Sequence, residues 1–316
     1  MLINSNGAQL RGLILIFCVY ILGSFEVEPL QSPQCEIGFL ESTSIEQSGE
    51  STAKSVFHGQ VRVAFYKEGA KWNAYPCTWS KEVRHPSHLN KFFRETRNWT
   101  AVIGGLRNAQ VISEAVEAYS SWTDAGIQRL SFIEPQLAES LRHQESISQQ
   151  SGAGSDGITM FISGETNLST RIDAVWKKDT SADAIPGEIV ELMRMHIQDI
   201  DWKLELSKID KLDRTDLQCA DFVQVTHGVL YGLRFTDKSI VDRVGEPDAS
   251  IYWFACMKDG RKSFIGGGME YLVSHDVDGD GDQETVFRIA HHDGNGYRIF
   301  WNDFEEHSTF KWPVRG

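Results

Sequence analysis

The chain has 316 residues, 41% hydrophobic and 11% aromatic, which is enough apolar material for one large or two ordinary domains with a real core. A formal net charge of −13 speaks against a nucleic-acid partner, because neutralising phosphates takes clustered Lys and Arg, and equally against an anionic membrane surface. The acidic balance suits a protein that recruits divalent cations.

At the N-terminus a single charge, Arg11, precedes an apolar run from Gly12 to Gly23. That run is short of the ~20 apolar residues needed to span a bilayer, so residues 1–24 read as a secretory signal peptide, with Gly23-Ser24 offering small residues for cleavage. An uncleaved anchor is the alternative. The expected mature chain is exported, periplasmic or extracellular, and has no transmembrane segment. Four cysteines remain in it: Cys35, Cys77, Cys219 and Cys256. An even count in an exported chain points to disulfides; four cysteines allow three connectivities, of which pairing within segments favours Cys35–Cys77 with Cys219–Cys256.

Residues 25–58 are polar and rich in Ser, Glu and Gln, and read as a weakly ordered leader. A β-rich region is expected over 59–170. Its alternating run Val61–Tyr66 is a strand, followed by a turn at Glu68-Gly-Ala into Lys71–Tyr75, and Trp99–Gly104 is another. The stretch 108–122 is helical by propensity, so strand and helix both stay open there. Residues 136–157 form a Ser-, Gln- and Gly-rich excursion, and Ile158–Ile162 resumes the sheet.

From 171 to 316 an α+β region is expected. Pro186 suits a first helical turn, Glu188 and Glu191 favour the positive end of the helix dipole, and Ile189, Met193, Ile197 and Ile200 share one face. One substantial helix is thus predicted near 186–200. Strands follow at Phe222–Val225, Val229–Phe235 and Ile251–Met257, and Asp259-Gly260 centres a hairpin turn. A last hairpin runs from Thr285–Ala290 to Tyr297–Phe304 through residues 291–296. The predicted fold class is mainly β (α+β), with antiparallel sheets.

The most chemically specific stretch is Asp276-Val-Asp278-Gly-Asp280-Gly-Asp282-Gln-Glu284. Carboxylates at alternate positions let a short loop wrap oxygens around a hard cation, and calcium takes 6–8 of them. Asp276, Asp278 and Asp280 match EF-hand positions 1, 3 and 5, with Gly281 at 6. Position 12, where an EF-hand needs its bidentate Glu, is Phe287. The flanks Met269–Ser274 and Thr285–Ala290 read as strands, which predicts a strand–loop–strand site closed by Glu284, with the Asp282 carbonyl at position 7.

This pattern resembles the calcium loop of FG-GAP/VCBS repeats from integrin-type β-propellers, and Phe264-Ile-Gly-Gly-Gly268 stands where such repeats carry a Phe-Gly stretch. Through Phe65–Cys77 and Asp276–Phe304 the chain also resembles a group of uncharacterised secreted bacterial proteins ending in one such loop. The resemblance implies a Ca2+ site at Asp276, Asp278, Asp280, Asp282 and Glu284, in a fold that is propeller-like.

Other chemistry is less specific. His291, His292 and Asp293 read as a transition-metal cluster or as an exposed turn, and His275 as a neighbour of the loop. There is no H-E-x-x-H and no G-x-S-x-G. Acid pairs such as Asp199/Asp201 read as solvated surface, and no catalytic residue is assigned. The tryptophans, among them Trp72, Trp79, Trp99 and Trp122, read as β-core residues or as a platform for stacking sugars. The resulting expectation is an exported calcium-binding module of the bacterial envelope or extracellular space, non-enzymatic, with a protein or glycan partner. A secreted hydrolase acting on glycans or other polymers is the alternative.

Overall fold

Sixteen strands and one helix carry the fold among the residues that the computed structural model describes, namely 35–46, 56–75, 97–103, 106–113, 127–132, 159–163, 175–180, 185–200, 214–236, 251–291 and 294–312. Contacts divide the chain into Met1–Pro33 and Gln34–Gly316, and every described residue lies in the second unit. The expected signal segment, Cys77, Trp79, Trp122, the excursion 136–157, and His292 with Asp293 lie outside the described residues.

The strands form three antiparallel sheets. The first contains β1 (Cys35–Glu46), β2 (Val56–Glu68), β3 (Lys71–Ala74), β4 (Arg97–Ile103), β5 (Leu106–Ser113), β6 (Ile127–Phe132) and β7 (Thr159–Ser163). Its order is β1-β7-β4-β5-β6-β2-β3, and β1 pairs in addition with β2. The second holds β8 (Val175–Thr180), β9 (Leu217–Val225), β10 (Gly228–Phe235), β11 (Tyr252–Met257) and β12 (Lys262–Gly267), in the order β12-β11-β10-β9-β8. The third is a meander of β13 (Met269–His275), β14 (Glu284–His291), β15 (Gly294–Trp301) and β16 (Glu306–Trp312). Of the three, this last sheet alone has the four strands of a propeller blade. The helix α1 spans Gly187–Ile200, within the expected limits, and its first turn is closed by the Pro186 carbonyl accepting the Ile189 N–H at 3.0 Å.

Side chains alternate across a strand, so a sheet buried on both faces serves two cores at once. In β14, Val286 faces a core shared with Val61, Val63, Phe65, Trp72 and Trp99 of the first sheet. Its neighbour Phe287 faces the opposite way, into a core with Val223, Leu230 and Trp253 of the second sheet. The second sheet alternates likewise: Trp253 and Ala255 of β11 point to the third sheet, while Tyr252 and Phe254 point to Ile189 and Met193 of α1. The layers therefore stack as first sheet, third sheet, second sheet, helix. Double burial is why Tyr252–Met257 is apolar throughout and lacks alternation.

Several expectations change. Part of the supposed leader 25–58 is ordered strand, because β1 pairs along β2 from Cys35↔Lys67 to Glu46↔Val56 and buries Ile37 and Phe39. A polar stretch thereby gains a ladder and a core face. The 106–113 segment is strand despite its helical propensity, held between β4 and β6. Gly266 and Gly267 of the Phe-Gly stretch lie inside β12. The last hairpin is tighter than expected, with His291 in β14 opposite Gly294, and the chain continues into β16.

The Cys219–Cys256 bridge is not formed, and among the described residues no disulfide is present. Strand β10 lies between β9 and β11, with Cys219 opposite its Leu233 and Cys256 opposite its Val229, so the two Cα atoms stand more than two strand spacings, ~9.5 Å, apart. A disulfide tolerates no more than about 7 Å. Cys35, the expected partner of Cys77, is also buried, and its thiol is pushed up to about 12 by burial and by the nearby Glu284 and Glu36 carboxylates. The expected result is that iodoacetamide, without reductant, labels Cys35, Cys219 and Cys256 in the denatured chain but leaves Cys35 and Cys219 unlabelled in the folded one. Peptide mass mapping reads both states, and a non-reduced peptide linking Cys219 to Cys256 would refute the strand order.

Candidate metal centre

Residues 276–283 bridge β13 to β14, whose ladder closes with His275 opposite Glu284. The loop is therefore strand–loop–strand, and no helix follows Phe287, which lies within β14 and is fully buried. Its internal wiring comes from the carboxylates. Asp276 accepts the Gly279 N–H at 2.7 Å on Oδ1 and the Gly281 N–H at 3.1 Å on Oδ2. Asp278 Oδ1 accepts the Asp280 N–H at 3.1 Å, and Asp280 Oδ1 accepts the Asp282 N–H at 2.9 Å. Gly279 and Gly281 have φ of 78° and 95°, left-handed conformations that glycine adopts without Cβ strain. Val277, fully buried, points into the first core and pins the loop to the first sheet.

These turns bring one carboxylate oxygen each from Asp276, Asp278 and Glu284 within 4.8 Å of one another. Two oxygens on opposite sides of a calcium ion at 2.3–2.6 Å would be roughly 5 Å apart, so the spacing fits that ion. Asp280 joins through a shared partner described below. Asp282 is exposed and is tied into the loop through its backbone N–H.

Glu284 is the buried anchor, at 1% exposure. Its Oε2 accepts the Val277 N–H at 2.8 Å and its Oε1 accepts the Trp72 indole N–H at 3.0 Å. Burial nevertheless pushes its carboxyl up to about 7, against those two bonds and the Lys67 charge. Trp72 comes from β3, so the first sheet contributes to a site whose acids belong to the third.

Lys67 of β2 is the second such contribution. It is buried, at 6% exposure, and its ammonium lies against the Asp278 carboxylate and donates to Asp280 Oδ2 at 2.6 Å. The indole of Trp72 lies 5.7 Å from the same Nζ. Burial works to raise the Asp280 carboxyl, but the Lys67 hydrogen bond and the Asp282 N–H outweigh it and hold it below the ordinary carboxylate range. A single positive charge thus already sits among the acids, where a bound cation would sit. The donor set, all oxygen, and this stand-in cation both fit a hard divalent ion.

Below the site, Glu36 of β1 is buried and accepts from the Tyr75 hydroxyl and, at 2.9 Å, from the Ser163 hydroxyl. Trp72 and Trp99 are at most 2% exposed and pack the core, which removes them from any sugar-stacking platform. Sequence reasoning read Trp72 only as core or platform and left Lys67 unassigned, so it missed the part both take in the site. Their signal was register: Val61, Val63 and Phe65 share one strand face, and the next residue on it is a lysine.

No family model, curated protein or solved structure matches the chain.

Proposed function

We propose that the 276–284 loop is a calcium site of an exported, non-enzymatic binding or structural module, in which the ion would fasten the central sheet to the first sheet. Asp276, Asp278, Asp280 and Glu284 would hold it by side-chain oxygens. The supporting observation is the convergence of Asp276, Asp278 and Glu284 on a strand–loop–strand hairpin with a lysine ammonium lodged between carboxylates. When bound, the ion supplies the positive charge that these acids need. Within the described residues no helix is long and apolar enough to cross a membrane, which is compatible with export.

The test is unfolding with calcium, with magnesium and with chelator. A site of this extracellular type should bind with a dissociation constant of about 10⁻⁴ to 10⁻³ M. At about 100 times that concentration the stabilisation should be ~2.7 kcal/mol. Asp278→Asn and Asp280→Asn should each remove most of the calcium-dependent rise in Tm, whereas Asp259→Asn, in the exposed β11–β12 turn, should leave it intact. A Tm unchanged by calcium, or raised equally by magnesium, would defeat the proposal.

A further inference from the structure

Lys67 is not needed for the strand it belongs to. Its backbone pairs with Cys35 on one side and Trp72 on the other whatever the side chain does. Yet the side chain is buried and directed into an acidic loop more than two hundred residues away. An ammonium has three donors and no acceptor, and here it is met by the carboxylates of Asp278 and Asp280. Asp278 is itself as buried as Lys67, with each side chain 8% exposed. These are the oxygens that a divalent ion would claim.

Two cations cannot share these oxygens. A calcium ion held by Asp278 would lie within a few ångströms of Nζ, in a partly dehydrated site where like charges repel more strongly than in water. The four-carbon lysine stem, in contrast, can rotate without moving β2, so the ammonium can withdraw while the ladder stays intact. We propose that Lys67 is a tethered counter-ion that occupies the acidic loop in competition with calcium, holding the loop folded at low calcium and being displaced at high calcium.

This rests on the calcium reading above and adds a setting of its threshold. Competition by an attached cation weakens apparent affinity in proportion to its occupancy, without altering the ligands. It also links the ion to the first sheet, because the displaced side chain belongs to β2 beside the Trp72 that holds Glu284.

The experiment measures calcium binding by calorimetry, and urea unfolding in chelator and in saturating calcium, on the full chain and on Lys67→Met, Lys67→Gln and Lys67→Arg. Lys67→Met should bind calcium at least ~10-fold more tightly than the parent, and should be less stable than it in chelator but not in calcium. Lys67→Gln should behave the same way if Lys67→Met is poorly soluble, and Lys67→Arg, which keeps the charge, should retain the weaker binding. Calcium binding by Lys67→Met alone, with the parent unresponsive at saturating calcium, overturns displacement of Lys67 in the native chain. A parent that binds calcium, with Lys67→Met and Lys67→Gln binding equally or more weakly, overturns the tether and leaves the calcium site standing. Folded parent and variants that all fail to bind calcium overturn the calcium site itself, and the tether with it.

Discussion

In chelator the protein should become less stable as pH rises from about 4.5 towards 7, and in saturating calcium this trend should disappear. Glu284 sets the first slope. Its carboxyl titrates near 7 in the fold because burial disfavours the anion, against an ordinary value of 4.5 in the unfolded chain. Between those values the folded state binds more protons than the unfolded state, so stability is lost with rising pH, on the order of 3 kcal/mol across the window. His307 opposes this over a narrow range. Burial and Arg298 push its imidazole down, so the fold gains stability as pH rises towards 6.5, and His307→Gln should remove that component. Asp280, held below the ordinary range, acts only in the acid limb, where its contribution disappears as it protonates. With calcium present, Glu284 must be ionised to serve as a ligand, so binding strengthens as pH rises and offsets the loss seen in chelator. Glu284→Gln should flatten the chelator slope. Urea unfolding at several pH values reads the effect, and a chelator slope that survives in Glu284→Gln would assign it to another group.

The balance at Glu284 also explains why the site was half legible in the sequence. The alternating acids and glycines of 276–284 specify local wiring, since Asp276, Asp278 and Asp280 each accept an N–H two to five residues ahead. Such contacts are written in consecutive residues, as is the strand character of both flanks. Lys67 and Trp72 are not, because their role depends on the first sheet packing against the third, which no short-range pattern encodes. The helix 187–200 was readable for the same local reason, through Pro186, Glu188 and its apolar stripe. β1 was not, because its polar sequence becomes a strand only by pairing with β2 and β7. Cys219 and Cys256 misled because nearness along the chain says nothing about the strand inserted between them. Tertiary pairing, rather than propensity, decided the cases that were missed.

The largest single-residue effect is expected at Phe287, the residue at the position where an EF-hand would carry its closing glutamate. It is fully buried on the face of β14 that looks away from the acidic loop. Trp253, Phe300 and Tyr271 surround it, with ring centroids at 5.0, 5.7 and 6.0 Å. Two of these are edge-on neighbours from its own sheet and one comes across from the second, so Phe287 joins the two layers as well as filling their core. Truncation to alanine removes the transfer free energy of the ring and leaves a cavity whose rigid aromatic walls collapse poorly. The cost should be ~3–5 kcal/mol, read from the urea midpoint. The calcium-dependent increment in stability should nevertheless match that of the parent, because Val286 and Glu284, on the opposite face, keep their contacts with the first sheet and the loop. Loss of the increment in Phe287→Ala, or a destabilisation below ~1 kcal/mol, would mean that β14 does not present these two faces to separate cores.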